Sequence, residues 1–494
     1  MKVALSEIVA RLGREKLLRG DPPAALAALE IHGVTTDSRF VSAGTLFCAV
    51  RGNAGDGHAF LPSAEGAGAA AALVEELNPT LSIPQITITD SRRAAAFAAA
   101  EYFQDPWKEL TMIGVTGTNG KTTTVAILRH ILNKAQPAAS VGTLGAIGPD
   151  GRKVPRSEGL TTPGAAQFAE IIRRLADEGI RSVAMEVSSH ALHQDRIAAA
   201  TFSAGIFTNL TRDHLDYHAT LEAYREAKLR LVELIRPGGL IIVNADDPAW
   251  AGVHRSDTHR IRFGVQGEGE VQAENIRYRQ GGVEWHLHTP SCTAEIRLPL
   301  FGTYNIYNAL GAAAALWGLG WSSDKIAEGM ADLPQVPGRL EAITAEGAPA
   351  ILIDYAHTPD ALERALLALR PLAEGKLIVL FGAGGDRDKG KRPELGRVAG
   401  ENADFSIVTT DNPRHEDPLQ IIAEIESGMG GAPRRVVVDR REAIGEAIAM
   451  ATPKDLVLLA GKGHETYQIW GDERRPFDER LIVEEILNRK GSTS

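Results

Sequence analysis

Residues Gly114–Thr124 read GVTGTNGKTTT. The apolar run LTMIGVT leads into them, and VAILRHIL follows with apolar side chains at helical spacing. A strand, a glycine-rich loop and a helix start, in that order, form a cradle for phosphate. Gly117 and Gly120 let backbone amides approach phosphate oxygens, and the helix start adds the positive end of its dipole. Lys121 supplies a point charge for the β- and γ-phosphates, and the Thr122 hydroxyl is placed to ligate Mg²⁺. Thr118, Asn119 and Thr123 complete the loop. The strict eight-residue pattern asks for glycine at position 115, where Val115 stands. The match is therefore to a variant, TGTNGKT, in which Gly117 makes the turn. The alternative is a glycine-rich turn with a solvated lysine, which the strand–loop–helix context disfavours.

A second chemical stretch lies far downstream. Val408–Pro418 reads VTTDNPRHEDP. Asn412-Pro413 is turn chemistry after the short apolar strand FSIV. Arg414 then stands at the mouth of a strand, where it either meets an anion or is one more surface arginine. Glu186 closes the buried run AMEV, a position suited to an Mg²⁺ ligand or to an acid facing water. His214 and His218 sit together in TRDHLDYH, where either could pack or cap a helix.

The elements that must position these residues divide into three segments. Residues 1–106 hold short strands (TLFCAV, AALVE, QITIT) between glycine-rich turns and carry no nucleotide fingerprint. Residues 107–335 open with the phosphate loop and alternate strands (RSVAMEV, AGIFTNL, GGLIIVNA) with helical stretches. That alternation predicts a parallel sheet covered on both faces. Residues from about 255 to 300 are richer in strand, with period-two alternation in VEWHLHT and TAEIRLPL. Residues 336–494 begin after a Pro/Gly-rich linker near PQVPGRLE. They alternate AILIDYA, KLIVLFGA, FSIVTT, RRVVVD and DLVLLAG with helices, a doubly wound pattern. The fold class is thus α/β in three domains: a small N-terminal α/β domain, a central P-loop parallel-sheet domain and a C-terminal Rossmann-like domain. Ligands of such sheets sit beyond the carboxyl ends of the strands. TGTNGKT, EVSSH, TNLTRDH, DYAHTPD, GAGGDRDKGKRP, TDNPR and GKGHE all follow apolar strands, so two sheet edges are expected to face one cleft.

Composition bounds the partners. The chain has 494 residues, 44% hydrophobic and 23% charged, in the range of a globular enzyme. Cys48 and Cys292 are the two cysteines, which excludes a disulfide framework or cysteine metal site and fits a reducing cytoplasm. The formal net charge of −10, without a basic patch, argues against nucleic acid. No run approaches the ~18 apolar residues of a membrane span. A monomer is the default expectation.

TGTNGKTTT, EVSSHAL, TNLTRDHLDYH and DYAHTPDAL, in this order, resemble the Mur ligase family, ATP-dependent amide-bond ligases that build the peptide of the bacterial cell wall. The resemblance spans essentially the whole chain. It implies an N-terminal UDP-binding domain, a central ATPase domain, a C-terminal amino-acid domain, and Mg²⁺ beside ATP. It implies an acyl-phosphate route, in which the γ-phosphoryl moves to a substrate carboxylate and an amine displaces phosphate. Glu186 and His214 match metal-site residues, and Lys228 in EAYREAKLRLVE matches a lysine that is carbamylated in the family. On its own, a helical lysine reads as solvated. Asn305 in GTYNIYN is implied near the adenine base, although it could also be the N-cap of the helix behind it. Arg339, Asp354 and His357 are implied on the ribose or base, closing the cleft over ATP. For a UDP-N-acetylmuramoyl dipeptide the resemblance implies Thr36, Ser38, Asn53, Ala54 and Gly55. In the central domain it implies Thr161, Thr162, Ser188, Gln194 and Arg196; some relatives carry asparagine where Leu160 stands.

DNPR, Asp411–Arg414, resembles the signature of members that add meso-diaminopimelate, whose distal carboxylate an arginine fork binds bidentately. Lysine-adding relatives carry a different residue in place of the arginine. Arg387 is a second candidate clamp, Gly461 and Glu465 are implied for the distal amino group, and Asp411, Asn412 and Pro413 are implied with Arg414 in the diaminopimelate site. The rival readings are a lysine-adding or folate polyglutamate ligase, a phosphotransferase, and a non-catalytic nucleotide-dependent scaffold.

Overall fold

Aliphatic strand runs build three large sheets with parallel cores, beside two antiparallel pairs of strands, among the described residues. The computed structural model describes residues 1–491 apart from 21, 23–25, 27, 53, 54, 158, 280, 281 and 346. Asn53 and Ala54 therefore lie outside the described residues.

The first sheet has four parallel strands, Gly33–Thr35, Thr45–Cys48, Ala71–Val74 and Gln85–Thr87. Side chains alternate between its faces, as pleating requires. Leu46, Cys48, Ala71 and Leu73 join one core with the helices Leu5–Arg14 and Ser91–Tyr102, while Phe47, Ala72 and Val74 join another with Leu61 and Ala64. The first of these cores does not stop at the sheet. It continues through helix Ala165–Asp177 onto Met112, Val183, Met185 and Phe202 of the second sheet.

The second sheet has ten strands. Thr111–Thr116, which leads into the phosphate loop, pairs in parallel with Ser182–Glu186 on one side and Phe202–Phe207 on the other. Glu186 lies opposite Val115 in this register, which sets its carboxylate beside the loop. The strands Val271–Arg279, Gly282–Thr289 and Cys292–Leu298 extend the sheet as an antiparallel meander. Val283, Trp285 and Leu287 face its core, as the period-two alternation predicts.

The third sheet runs in the order Glu341–Ile343, Ala350–Asp354, Leu456–Ala460, Leu377–Phe381, Phe405–Val408, Arg434–Val436. All its neighbours are parallel except the first edge pair. Its faces are buried separately: Leu352, Val379 and Leu458 on one side, Ile353, Ile378, Leu380 and Leu459 on the other. Helices cover both faces, the doubly wound arrangement expected for this segment.

Candidate active site

The loop between Thr116 and helix Lys121–Leu132 is held in place by its own constraints. Gly117 has φ +147°, and a Cβ there would lie 1.9 Å from Thr208 Oγ1. At Gly120, φ is +87° and a Cβ would lie 2.1 Å from Asn308 Oδ1. Neither position accepts a side chain without moving its neighbour. The Asn119 amide donates to Asn209 Oδ1 at 2.9 Å, and Thr118 Oγ1 donates to the Thr211 carbonyl at 3.1 Å. Thr122 and Thr123 are buried in the first helical turn.

Lys121 arches over the loop, its Nζ donating to the carbonyls of Gly117 and Thr118 at 2.8 and 2.7 Å. Lys228 approaches from helix Leu221–Leu229 and donates to the same Gly117 carbonyl at 2.8 Å. It is 1% exposed, and its ammonium stands 4.2 Å from the Tyr224 ring centroid. Burial, then the neighbouring charge of Lys121, push Lys228 well below the ordinary lysine range. An amine so placed favours its neutral form.

Glu186 faces these lysines from the strand end, 2% exposed. Thr143 braces it twice, N donating to Oε1 at 2.9 Å and Oγ1 to Oε2 at 3.0 Å. His214 adopts φ +54° at the start of the short helix Leu215–His218. Burial lowers its proton affinity more than the adjacent Asp213 raises it, so its imidazole stays neutral. His218 instead bonds Ser189 Oγ at 2.9 Å, away from the loop. Lys121, Thr122, Glu186, His214 and Lys228 line one cavity of about 270 Å³.

The same cavity takes in substrate-side residues. Thr161, Ser188 and Arg196 line it, as does Leu160. Thr161 Oγ1 accepts from Thr143 Oγ1 at 3.2 Å. Thr162 is fully buried and acts as a brace, donating to the Glu186 carbonyl and accepting from Ser188 N. Gln194 Oε1 accepts from Arg196 Nε and Nη2, which aims the guanidinium, while its amide donates to the Tyr217 hydroxyl. Thr36 and Ser38 stand at a short 3₁₀ turn capped by Asp37, and Gly55 O accepts from Gly52 N. Neither these two residues nor Gly55 line this cavity.

The third sheet meets the loop from the other side. Arg339 Nη2 donates to Thr122 Oγ1 at 2.9 Å, and its guanidinium lies 4.8 Å from the Tyr355 ring centroid. Asn119 Nδ2 donates to Asp360 Oδ2 at 2.8 Å. Arg339, Tyr355 and His357 line both the loop cavity and a larger one of about 790 Å³. This larger cavity has apolar walls (Phe301, Leu367, Pro371, Leu372) and polar groups at Asn119, Asp246 and Asp354. Its size and lining suit a nucleoside. Asp354 is pinned by the amides of Leu340 and Ala356.

Asn305 does not line either cavity. Nor is it an N-cap: the helix starts earlier, at Thr303 behind Gly302, and leaves Asn305 in the first turn. Its amide there donates to the Phe301 carbonyl and its Oδ1 accepts from Asn308. Asn308, not anticipated, is the residue that abuts Gly120.

The candidate amino-acid residues gather at the carboxyl ends of the third sheet. Arg414 Nη1 donates to the Gly385 carbonyl at 2.8 Å, and a Cβ on Gly384 would meet Arg414 Nη1 at 2.9 Å and Arg387 Cγ at 3.7 Å. Burial, and then the charge of Arg387, work against the proton on Arg414. Two guanidinium groups brought together in this way call for an anion. Asp411 is buried, yet Lys462 and Arg440 hold its carboxyl below the usual range against the cost of burial. Asn412 Nδ2 donates to Glu465 Oε2 at 3.0 Å, the Gly385 amide donates to the Asn412 carbonyl and the Glu416 amide to the Pro413 carbonyl, and Gly461 N donates to the Asp354 carbonyl.

An Mg²⁺ site is testable on these donors. The Glu186 carboxylate and the Thr122 hydroxyl share a cavity with the phosphate loop, an oxygen set that fits a hard cation completing its shell with phosphate and water. Among the described residues no group of three or more His, Cys, Asp or Glu could hold a metal alone. Lys462 and Asp360 lay within the quoted motifs GKGHE and DYAHTPD but carried no distinguishing signal, and Thr143 sits in an unremarkable VGTLG.

Comparison with known proteins supplies the context. The sequence matches the Mur ligase middle domain over residues 115–316, the Mur ligase glutamate ligase domain over 338–463, and the Mur ligase family catalytic domain over 30–102. It is 41% identical over 472 residues to the UDP-N-acetylmuramoyl-L-alanyl-D-glutamate–2,6-diaminopimelate ligase of Geobacillus kaustophilus, covering 94% of this chain and 96% of the relative. A solved structure bearing that same enzyme name superposes with a TM-score of 0.67 at 30% identity, covering 99% of this chain and 100% of the other. MurF ligase from Thermotoga maritima in complex with ADP shares the fold, with a TM-score of 0.65 at 19% identity over 93% of this chain and 98% of the other.

Proposed function

The chain belongs to the Mur ligase family, and from that membership we propose that it joins meso-2,6-diaminopimelate to UDP-N-acetylmuramoyl-L-alanyl-D-glutamate, with ATP converted to ADP and phosphate, in peptidoglycan precursor synthesis. One observation carries this reading. A single cavity is shared by Lys121, Glu186 and Lys228 of the second sheet, the substrate-side Arg196, and Arg339, Tyr355 and His357 of the third. Chemistry that needs a nucleotide, an acid and an amine at one place needs such a junction.

The division of labour follows the three segments, 1–106, 107–335 and 336–494. Thr36, Ser38, Asn53, Ala54 and Gly55 hold the uridine end. Thr161, Thr162, Ser188, Gln194 and Arg196 orient the dipeptide so that its carboxylate faces the γ-phosphate. Loop amides and Lys121 hold the phosphates, while Arg339, Asp354 and His357 hold the nucleoside and Asn305 supports Asn308. A carboxylate oxygen attacks the γ-phosphorus and ADP leaves. The amine then attacks the acyl carbon, phosphate leaves with the bonding pair, and a proton is lost from nitrogen. Lys121 and the loop neutralise the charge that builds on the transferring group. Mg²⁺ would be held by Thr122, Glu186, His214 and a carbamylated Lys228, and when bound supplies positive charge at the phosphate oxygens. Arg387 and Arg414 clamp the distal carboxylate of the amino acid; Gly461 and Glu465 receive its distal ammonium, and Asp411, Asn412 and Pro413 shape the turn.

Among the described residues no helix is long and apolar enough to cross a membrane. A cytoplasmic monomer, whose partners are small molecules, accords with this chemistry.

The test is a substrate matrix. Purified protein with ATP, Mg²⁺ and the UDP-linked dipeptide is offered diaminopimelate or lysine, with product mass and ADP as readouts. Diaminopimelate-dependent product with matching ADP is expected. Product with lysine alone overturns the choice of amino acid, and nucleotide binding without turnover restores the scaffold reading.

A further inference from the structure

Lys462 follows the strand Leu456–Ala460 and is 0% exposed. A buried ammonium is costly unless acceptors meet its hydrogens. Nζ donates to Asn412 Oδ1 at 3.1 Å and to Glu465 Oε2 at 2.9 Å. Asn412 Nδ2 donates to the same Glu465 oxygen at 3.0 Å, which closes a three-membered ring of side chains. The Ile469 amide adds a bond to Asn412 Oδ1 at 3.0 Å. The GKGHE turn and the DNPR turn, 50 positions apart at Lys462 and Asn412, thus meet on one ammonium, and the hairpin formed by Tyr467–Trp470 and Glu473–Pro476 joins them through Asn412.

Arg414 lies two residues beyond Asn412. Its backbone is held at φ +51° by that hairpin, with Arg414 N donating to the Ile469 carbonyl at 3.1 Å and Gly471 N donating to the Arg414 carbonyl at 2.7 Å. Glu465 commits Oε2 to the ring, while Oε1 accepts no hydrogen bond among the described residues. The ring therefore joins a residue suited to a carboxylate with one suited to an ammonium, and Lys462 is the link common to both.

We propose that Lys462 is a positioning residue that fixes the separation of the Arg414 and Glu465 side chains, and so lets the site read the zwitterionic far end of its amino-acid substrate. This rests on the diaminopimelate reading given above. Lys462 need not touch substrate. It spends its hydrogen bonds on the groups that do, and by engaging Oε2 of Glu465 it leaves Oε1 for an ammonium.

The experiment compares wild type with Lys462→Met, which keeps the chain length but removes donors and charge, and with Asn412→Ala, which opens the ring while leaving Lys462 paired with Glu465. KM is measured separately for diaminopimelate, ATP and the UDP-linked dipeptide, with the turnover ratio of meso- to LL-diaminopimelate. The KM for diaminopimelate is expected to rise about 10- to 100-fold, with the other two held within about threefold, and the stereochemical ratio to fall. A diaminopimelate KM within about twofold of wild type, or equal rises in all three KM values, overturns the role. Should Lys462→Met not fold, a folded Asn412→Ala lacking the selective rise overturns it equally. Wild type that incorporates lysine and not diaminopimelate sinks the underlying reading and this role together. Wild type that takes diaminopimelate, with both variants unaffected, sinks the role of Lys462 alone.

Discussion

Lys121 and Lys228 share one acceptor: both side chains donate to the Gly117 carbonyl, each at 2.8 Å. Two ammonium groups on one oxygen repel each other, and burial favours loss of a proton from Lys228. A neutral amine reacts with CO₂ to give a carbamate, which converts a repulsive pair into an attractive one. Lys228→Met is expected to lower kcat by about 10²–10³. In wild type, ¹³C-bicarbonate is expected to add a carbamate carbon signal that this variant lacks. Full activity in the variant removes the lysine from the mechanism.

Gly117→Ala introduces a Cβ where Thr208 Oγ1 would be 1.9 Å away, at a φ of +147° that L-residues avoid. The loop must shift to relieve the contact. ATP KM is expected to rise at least about 10-fold while the diaminopimelate KM stays put, because a phosphate cradle needs its amides aligned. Isothermal titration with ADP checks the same loss without turnover.

Arg414→Ala is expected to raise the diaminopimelate KM by about 10- to 100-fold, the cost of an unpaired carboxylate. Lysine, with no distal carboxylate, has nothing to lose there. Its turnover should be unchanged, so the selectivity ratio measured by competition is the telling quantity.

Arg392 is 0% exposed and holds Glu416 through two bonds, at 2.9 and 3.0 Å, and Glu424 through one at 2.7 Å. The Arg392 pairing takes Glu416 down to about 2 from an ordinary 4.5. A carboxylate depressed on folding contributes stability that is full above the unfolded value and fades as pH falls from about 4.5 to about 2. Arg392→Met should therefore lower Tm at neutral pH. The gap from wild type should narrow across that acid window, as followed by circular dichroism melts. A gap independent of pH would assign the loss to packing.

The phosphate loop and the strand-end clusters could be read from sequence because their constraints are local. Glycine, lysine and threonine at fixed offsets after an aliphatic strand have few other uses, and the central strands of the second and third sheets, such as Ser182–Glu186, Leu377–Phe381 and Leu456–Ala460, stand out as short apolar runs, whereas Val271–Arg279, rich in polar residues, does not. The long-range partners left no such trace. Asn119 and Asp360 are 241 positions apart, and no periodicity links them. Arg392 sits in GGDRDKGKRP, a strand-end cluster in which nothing marks it apart from its charged neighbours; it is buried because glutamates 24 and 32 residues later enclose its guanidinium. Lys228 reads as an exposed helical lysine, and the buried face of that helix emerges only when Gly117 lies against it. Asn305 shows the opposite limit: its sequence context suits an N-cap, but the helix begins two residues earlier and turns its amide inward.

One apolar interior runs unbroken from the first sheet to the second, through residues such as Leu46, Phe97, Phe168 and Met185, whereas the third sheet has interiors of its own. Heating should melt the chain in two calorimetric steps, one for the fused front pair and one for the back piece. The same partition ties Arg339, His357 and the amino-acid turn into one piece that reaches the phosphate loop through the Arg339–Thr122 and Asn119–Asp360 bonds, so whatever breaks those two bonds frees the three together.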